Sequence, residues 1–223
     1  MPIEAVIFDM DGVIVDSEEY WWQSRVEFAE KRGLTWTLDY HLLAMGRSTV
    51  GWARVMQEQL ALDLPLEAIM SEVIAGVNAR LEAHLPVLPG AIEAVQASAA
   101  AYPVALASGS PTSVIEKVMK LTGLDQVFRY TVYGDDMQRG KPDPEIYLTT
   151  AGKLGVDPAN CLGIEDSGNG LRALKAAGMY SIAVPSPGFP LSDDLLKLAD
   201  RTLGSLTEYS IELVREISSR TEN

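Results

Sequence analysis

Carboxylates, hydroxyls and one lysine stand at, or soon after, the ends of four short apolar segments. In chain order they are Asp9 and Asp11, then Ser108, Gly109 and Ser110, then Lys141, and finally Glu165, Asp166 and Ser167. Carboxylates can hold a hard cation such as Mg²⁺, and a carboxylate can also attack phosphorus as a nucleophile. A hydroxyl and a lysine can bind phosphoryl oxygens, while a second carboxyl moves a proton. The set therefore permits transfer of a phosphoryl group to a carboxylate and then to water.

Each of these pieces, taken alone, has a structural explanation as well. A turn explains the stretch from Asp9 to Gly12, and a surface position explains Lys141. Ser108 and Glu165 could each cap a helix that follows them. Their common placement favours a site, because all of them follow predicted strands and ligands bind beyond the carboxyl ends of parallel strands.

The elements that must position these residues follow from the apolar pattern. After Gly90, strands alternate with helices, which predicts a parallel sheet covered on both faces. From Ser17 to Leu85 the apolar residues recur at helical spacing, which predicts an all-helical insert. The predicted strands are Ile3–Phe8, Val104–Ala107, Tyr130–Tyr133, Cys161–Ile164 and Ser181–Val184. The predicted helices are Tyr20–Phe28, Val50–Leu60, Leu66–Leu81, Ala91–Ala101, Val114–Leu121, Glu145–Leu154, Leu171–Ala177, Asp193–Leu198 and Leu206–Ile217, and residues Ser218 to Asn223 are expected to fray.

The overall charge of the protein disfavours some classes of binding partner. The 223 residues carry a formal net charge of −13, which disfavours nucleic acid and anionic membranes as partners. A phosphate ester would also be repelled, so its site needs a metal ion or a fixed cation. The single cysteine, Cys161, excludes an intrachain disulfide and fits a cytoplasmic location. We see neither a signal peptide nor an apolar stretch long enough to span a membrane.

Four sequence motifs resemble those of the haloacid dehalogenase superfamily, in its phosphatase and beta-phosphoglucomutase-like branch. They are Phe8-Asp9-Met10-Asp11-Gly12-Val13, Ala107-Ser108-Gly109-Ser110, Gly140-Lys141-Pro142-Asp143-Pro144 and Gly163-Ile164-Glu165-Asp166-Ser167. The resemblance extends from about Ile3 to Pro185. It implies an α/β fold with a Rossmann-like three-layer core at residues 1–16 and 87–223. It also implies a small all-helical cap domain at residues 17–86, inserted after the first strand.

The resemblance also implies roles for the residues around the reacting phosphorus. Asp9 would be the nucleophile that forms an aspartyl-phosphate, and Asp11 would be the general acid and base. Ser108, Gly109 and Lys141 would bind the phosphoryl group. Because an alkoxide is a poor leaving group without a proton, Asp11 favours phosphate esters over the halide substrates of dehalogenases.

The same resemblance implies a metal cofactor, Mg²⁺. Its ligands would be Asp166, the carboxylate of Asp9 and the backbone carbonyl of Asp11, with Glu165 acting through water. In the predicted cap, the loop containing Arg47 resembles the specificity loop of the branch. Arg47 could contact a polar group or a second phosphate of the substrate, or it could be a solvated arginine at a helix start.

Three functions remain open at this point. The first is hydrolysis of a small phosphorylated metabolite, with sugar phosphates as the leading class. The second is a sugar phosphomutase, which Trp21 disfavours because the beta-phosphoglucomutases carry a histidine there. The third is a non-catalytic relative that only binds a ligand, although such relatives usually lose a motif residue. Cap closure would hinge near Asp16 and at residues 86–89, and the oligomeric state is not predicted, although a monomer is plausible.

Overall fold

A six-stranded parallel sheet forms the centre of the protein, in a computed structural model that describes residues 2–186, 188 and 190–219. Its spatial order is β3-β2-β1-β4-β5-β6, and every neighbouring pair is parallel. The strands are β1 (Ala5–Phe8), β2 (Val104–Ser108), β3 (Tyr130–Tyr133), β4 (Cys161–Glu165), β5 (Tyr180–Ala183) and β6 (Arg201–Thr202). The chain order changes direction on either side of β1, so β1 and its neighbours border the crevice where such sheets bind ligands.

Both faces of the sheet are buried, as three layers require. Val6 and Phe8 of β1 contribute to one hydrophobic cluster, whereas Ala5 and Ile7 contribute to a second. Alternate residues of a strand point to opposite faces, so the two clusters lie on opposite sides of the sheet. The helices of the layers are α5 (Ala91–Ala101), α6 (Thr112–Thr122), α7 (Glu145–Leu154), α8 (Gly168–Ala177), α9 (Asp193–Leu196) and α10 (Ile211–Ser219).

Four further helices lie between β1 and α5. They are α1 (Glu18–Glu30), α2 (Leu38–Ala44), α3 (Thr49–Gln59) and α4 (Leu66–Ala83). α4 packs against α1 and α3, and α3 also packs against α2. This helical insertion begins directly after the loop that carries Asp9 and Asp11, so it stands next to the carboxyl end of β1.

The expected fold class is confirmed, and most predicted elements match to within two or three residues. Among the described α-helices and strands, α2 and the two-residue strand β6 were missed. The last predicted helix was too long, because Leu206–Glu208 forms a 3-10 turn and α10 begins only at Ile211. Ser218 and Ser219 belong to α10, and the rest of the tail expected to fray lies outside the described residues. The exact division into core and cap domains stays a prediction.

Among the described helices, none is long and apolar enough to cross a membrane.

Candidate active site

Lys141 joins two carboxylates at the carboxyl ends of the central strands. Its Nζ atom lies 2.9 Å from Oδ1 of Asp9 and 2.5 Å from Oε1 of Glu165. Asp9 follows β1, Glu165 ends β4, and the two strands are neighbours in the sheet. All three side chains are buried. The fold therefore brings Asp9 next to Lys141 and Glu165, which follow it by more than a hundred positions in the sequence.

Glu165 is held by hydrogen bonds at both of its oxygens. Oε1 also accepts a hydrogen bond of 2.5 Å from the hydroxyl of Tyr147, a fully buried residue of α7. Oε2 accepts hydrogen bonds from the backbone N–H groups of Asp166 and Ser167 and from the Ser167 hydroxyl. Ser167 also caps α8, because its hydroxyl accepts a hydrogen bond from the N–H of Gly170. These contacts fix Glu165 and leave it little freedom to bind another partner directly.

Asp9, Glu165 and Asp166 form a group that can hold a metal ion. One carboxylate oxygen from each lies within 4.8 Å of the other two. Oδ2 of Asp166 is buried and has no hydrogen-bond partner among the described residues. The backbone opposite it is Gly12, at φ 72°, where an added Cβ would lie 1.9 Å from that oxygen. A buried, unpaired carboxylate oxygen in a space kept open by a glycine fits a divalent cation with oxygen ligands.

The charges in this group are unbalanced. Burial raises the pKa of Asp9, and Lys141 only partly opposes it. Burial also raises the pKa of Asp166, and the neighbouring Glu165 and Glu18 add to the effect. Burial alone would lower the pKa of Lys141, but Asp9 and Glu165 outweigh it and raise that pKa well above its usual range. Three buried carboxylates therefore share one lysine, and a divalent cation would offset the excess negative charge.

Asp11 lies beside this group but faces hydroxyls and an indole. Its Oδ1 accepts hydrogen bonds from the Ser17 hydroxyl, at 2.5 Å, and from the Trp21 Nε1–H, at 3.1 Å. Its Oδ2 accepts hydrogen bonds from the hydroxyls of Ser110, at 2.6 Å, and Ser108, at 3.3 Å. The helical insertion supplies Ser17 and Trp21, so the position of Asp11 depends on the insertion as well as on the sheet.

A small cavity lies between the sheet and the helical insertion. Its walls include Asp9, Asp11, Lys141 and Asp166 from the sheet side, as well as Gly109 and Ser110 from the loop after β2. From the insertion come Glu18, Trp21, Arg25, Trp52 and residues 44–47. Its volume is about 30 Å³, far below the several hundred Å³ of a ligand pocket. The insertion therefore closes over the site and must move before a sugar-sized molecule can enter.

The loop after α2 packs against the loop after β2. A Cβ built on Gly109 would lie 3.1 Å from the carbonyl oxygen of Arg47. The Arg47 side chain lines the cavity, and its Nε–H donates a hydrogen bond of 2.6 Å to the carbonyl of Leu43. Both interpretations of Arg47 stay open, because it borders the cavity and is also partly exposed.

The family model for haloacid dehalogenase-like hydrolases matches residues 3–178 of the chain. The chain belongs to this family. Hexitol phosphatase B of Escherichia coli (strain K12) is 36% identical over 219 residues, covering 93% of this chain and 95% of the relative. The phosphorylated carbohydrates phosphatase of Thermotoga maritima is 33% identical over 181 residues, covering 81% of this chain and 84% of the relative. Among solved structures, beta-phosphoglucomutase from Clostridium difficile aligns with a TM-score of 0.85 at 25% identity, and the alignment covers 97% of each chain.

The predicted site residues of this haloacid dehalogenase-like hydrolase mostly converge. Asp9, Lys141, Glu165 and Asp166 meet at one point, and Asp11, Gly109 and Arg47 line the adjoining cavity. Ser108 is buried and contacts Asp11. It is not among the residues that line the cavity, whereas Gly109 and Ser110 are. The phosphoryl-binding role of Ser108 therefore stays a prediction.

Several contacts of this hydrolase were missed from the sequence. Tyr147 was predicted only as part of a helix, yet its hydroxyl contacts Glu165. Trp21 and Trp52 pack against each other in the insertion and also line the cavity. His41 is fully buried, and its Nδ1 atom contacts the side chains of Arg25 and Trp36. A signal for Tyr147 was available, because it lies three residues after Pro144, at the start of the helix that follows the lysine loop.

Proposed function

We propose that this hydrolase is a Mg²⁺-dependent phosphatase that cleaves small phosphate esters through an aspartyl-phosphate on Asp9. The observation that carries the proposal is the 2.9 Å contact between Asp9 and Lys141 beside the unpaired carboxylate oxygen of Asp166. This contact supports roles for Asp9 as the nucleophile, Lys141 as the cation for phosphoryl oxygens and Asp166 as a metal ligand. Sugar phosphates are the leading substrate class, since the relatives are named as phosphatases of hexitols and of phosphorylated carbohydrates.

In the first half-reaction, an oxygen of Asp9 attacks the phosphorus and the bond from phosphorus to the alcohol oxygen breaks. Asp11 donates a proton to that oxygen, so the substrate leaves as a neutral alcohol. The ammonium group of Lys141 binds a phosphoryl oxygen and offsets charge in the transition state. The Ser110 hydroxyl and the N–H of Gly109 are further donors, since both residues line the cavity.

In the second half-reaction, water attacks the phosphorus and the bond to Asp9 breaks. Asp11 takes the proton from the water, which restores its starting state, and inorganic phosphate leaves. Asp166, Asp9 and the Asp11 carbonyl would hold Mg²⁺, with Glu165 acting through water. The ion, when bound, supplies positive charge that screens the carboxylates from the phosphate ester.

The mutase alternative keeps some support from the likeness to a beta-phosphoglucomutase structure. A mutase must protect its phosphoenzyme from water and pass the phosphate to a second sugar phosphate. At the position of the mutase histidine, this chain has Trp21, whose indole donates a hydrogen bond to Asp11. An indole cannot exchange a proton as an imidazole can, so we favour hydrolysis.

A panel of phosphate esters tests this proposal. Purified protein with Mg²⁺ should release inorganic phosphate from sugar and sugar-alcohol monophosphates, whereas an isomeric sugar phosphate as the main product would support the mutase. Asp9→Asn should abolish the release and the acid-stable label left by ³²P-substrate. Asp63→Asn, at an exposed position of the helical insertion, is the matched control and should keep full activity. Full activity in the Asp9 variant would overturn the assigned nucleophile.

We further propose a cytoplasmic location. The single cysteine is buried in β4, and burial raises the pKa of its thiol to about 12. Such a thiol is unreactive and needs no oxidising compartment. The expected partner is a small phosphorylated metabolite.

A further inference from the structure

Two charged side chains are buried in the wall that the helical insertion gives to the cavity. Glu18 is 6% exposed and Arg25 is 3% exposed, and both line the cavity. Each carries a polar atom without a hydrogen-bond partner among the described residues, namely Oε2 of Glu18 and Nε of Arg25. Buried polar atoms are normally paired, so two unpaired ones at the edge of a single cavity indicate a ligand that pairs them.

The surroundings of Arg25 hold its guanidinium in place. Its Cζ atom lies 5.2 Å from the ring centre of Trp21 and 5.3 Å from that of Trp52. Its Nη1 atom lies 3.2 Å from Nδ1 of His41. Burial, followed by the charge of Arg25, lowers the pKa of His41 to about 2, so the imidazole is neutral and Nδ1 can accept. Two indole faces and one imidazole therefore fix Arg25 and leave Nε for a ligand.

Glu18 supplies the complementary group. Its Oε2 lies 3.6 Å from Nε2 of His41, which is longer than a hydrogen bond. Glu18 and Arg25 thus combine an acceptor and a donor in the same wall. A hydroxyl both donates and accepts, so it can satisfy such a pair. Burial, followed by the charge of Asp11, raises the pKa of Glu18 to about 8, so its carboxyl can accept or donate a hydrogen bond, and either form pairs with a hydroxyl.

We propose that Glu18 and Arg25 bind hydroxyl groups on the uncharged carbon chain of the substrate and so select polyhydroxy monophosphates. Glu18 accepts a hydrogen bond from one hydroxyl, and Arg25 donates one to the same or the adjacent oxygen. Trp21 and Trp52 flank the carbon chain. Asp11 is a close neighbour of this pair and of Asp9, so a substrate with its scissile ester at Asp9 can extend its chain toward the helical insertion. This inference rests on the proposed function and adds the structural basis of its substrate class.

Substrate selectivity tests the pair. The ratio of kcat/KM for a hexitol 6-phosphate to that for n-hexyl phosphate, which lacks free hydroxyls, is measured for the parent, Glu18→Met and Arg25→Met. We expect the ratio to fall about 10- to 100-fold in each variant, because a buried hydrogen bond to the substrate is lost. Glu19→Met and Arg32→Met, at exposed positions of the same stretch, should keep the parent ratio. An unchanged ratio in Glu18→Met and Arg25→Met would show that the pair only packs the insertion.

Binding without turnover separates this inference from the proposed function. In an Asp9→Asn background with Mg²⁺, calorimetry compares the two ligands with and without Glu18→Met. The inference requires the hexitol phosphate to lose affinity about 10-fold or more while hexyl phosphate loses less. Equal losses for both ligands would overturn it even if the enzyme is a phosphatase. Selective loss of the hexitol phosphate, with no phosphate released by the parent, would instead overturn the proposed function alone.

Discussion

At the scale of single residues, a side chain that metal binding requires lowers the stability of the metal-free protein. Asp166 has a buried carboxylate oxygen without a hydrogen-bond partner among the described residues, although Glu165 beside it is fully bonded. An unpaired buried carboxylate is costly in the absence of a counter-ion. Its presence is explained if a divalent cation completes it. In the metal-free protein this carboxylate therefore lowers the free energy of unfolding, and replacing it with an uncharged side chain should remove that cost.

Asp166→Asn should raise the stability of the metal-free protein while abolishing phosphatase activity. Burial raises the pKa of Asp166 above its unfolded value, so the folded state loses stability as pH rises above the unfolded pKa of about 4. The gain from the amide should therefore be larger at about pH 8 than at about pH 5, and on the order of 1–3 kcal/mol at the higher pH. Thermal melts in a chelator at both pH values measure it.

The control for this measurement is Asp63→Asn, at an exposed position. It should change the melting temperature little at either pH. Mg²⁺ should raise the melting temperature of the parent and of the control but not of Asp166→Asn, since ligand binding to the folded state stabilises it. A metal-free Asp166 variant that melts below the parent at the higher pH would contradict the interpretation.

Tyr147→Phe should weaken metal binding without unfolding the protein. The lost hydroxyl donates to Glu165 at 2.5 Å, and groups that orient metal-site carboxylates affect affinity about 10-fold or more. The Mg²⁺ concentration for half-maximal activity should rise by about that factor. Tyr130→Phe is the matched control, because Tyr130 lies on the far edge of the sheet in β3 and is partly exposed. Equal Mg²⁺ dependence in both variants would show that Tyr147 does not contribute to metal binding.

At the scale of elements, the sequence predicts the strands better than the insertion. β1, β2 and β4 are short apolar runs that end at or just before a polar residue, and that pattern is local. α2 was missed because Leu38, Leu42 and Leu43 are about half exposed and give no clear apolar face. The contacts of Asp11 with Ser17 and Trp21 could not be predicted from the sequence either, because they depend on how the insertion folds back over the sheet. Sequence patterns therefore identify the reacting groups but not the residues around the substrate.

Thr49→Val should loosen the closure of the insertion over the site. The Thr49 hydroxyl, at the start of α3, donates a hydrogen bond of 2.6 Å to Asp135 after β3. A second link joins the Asn169 side chain in α8 to the carbonyl of Met45, at 2.7 Å. With one link removed, we expect KM to rise about threefold to tenfold for one lost hydrogen bond. The connecting segments near residues 16 and 86–89 should also be cut faster by protease.

A phosphate mimic such as vanadate with Mg²⁺ should restore protection in the Thr49 variant, because ligand contacts favour the closed arrangement. Thr207→Val is the control, as Thr207 is exposed in a 3-10 turn of the sheet domain. Parent-like KM and protease resistance in Thr49→Val would mean that this link does not contribute to closure.

At the scale of the whole molecule, the surface charge opposes the substrate that the site binds. The formal net charge is −13, and a phosphate monoester is also an anion. Lys141 attracts the phosphoryl group only at short range, because it is buried and paired with carboxylates. The approach of substrate from solution is therefore governed by the surface field, which extends over about one Debye length.

Added salt should therefore raise kcat/KM, in contrast to enzymes whose surface attracts the substrate. At fixed free Mg²⁺, increasing KCl from about 10 mM to about 150 mM shortens the Debye length from about 30 Å to about 8 Å. We expect about a twofold to fivefold rise in kcat/KM for a sugar monophosphate, because the repulsion is screened. Glu30, Glu58, Glu67 and Glu93 are exposed, and changing all four to Gln should raise kcat/KM at low salt and flatten the salt dependence. If kcat/KM falls with salt in both proteins, attraction by the site must outweigh the surface field.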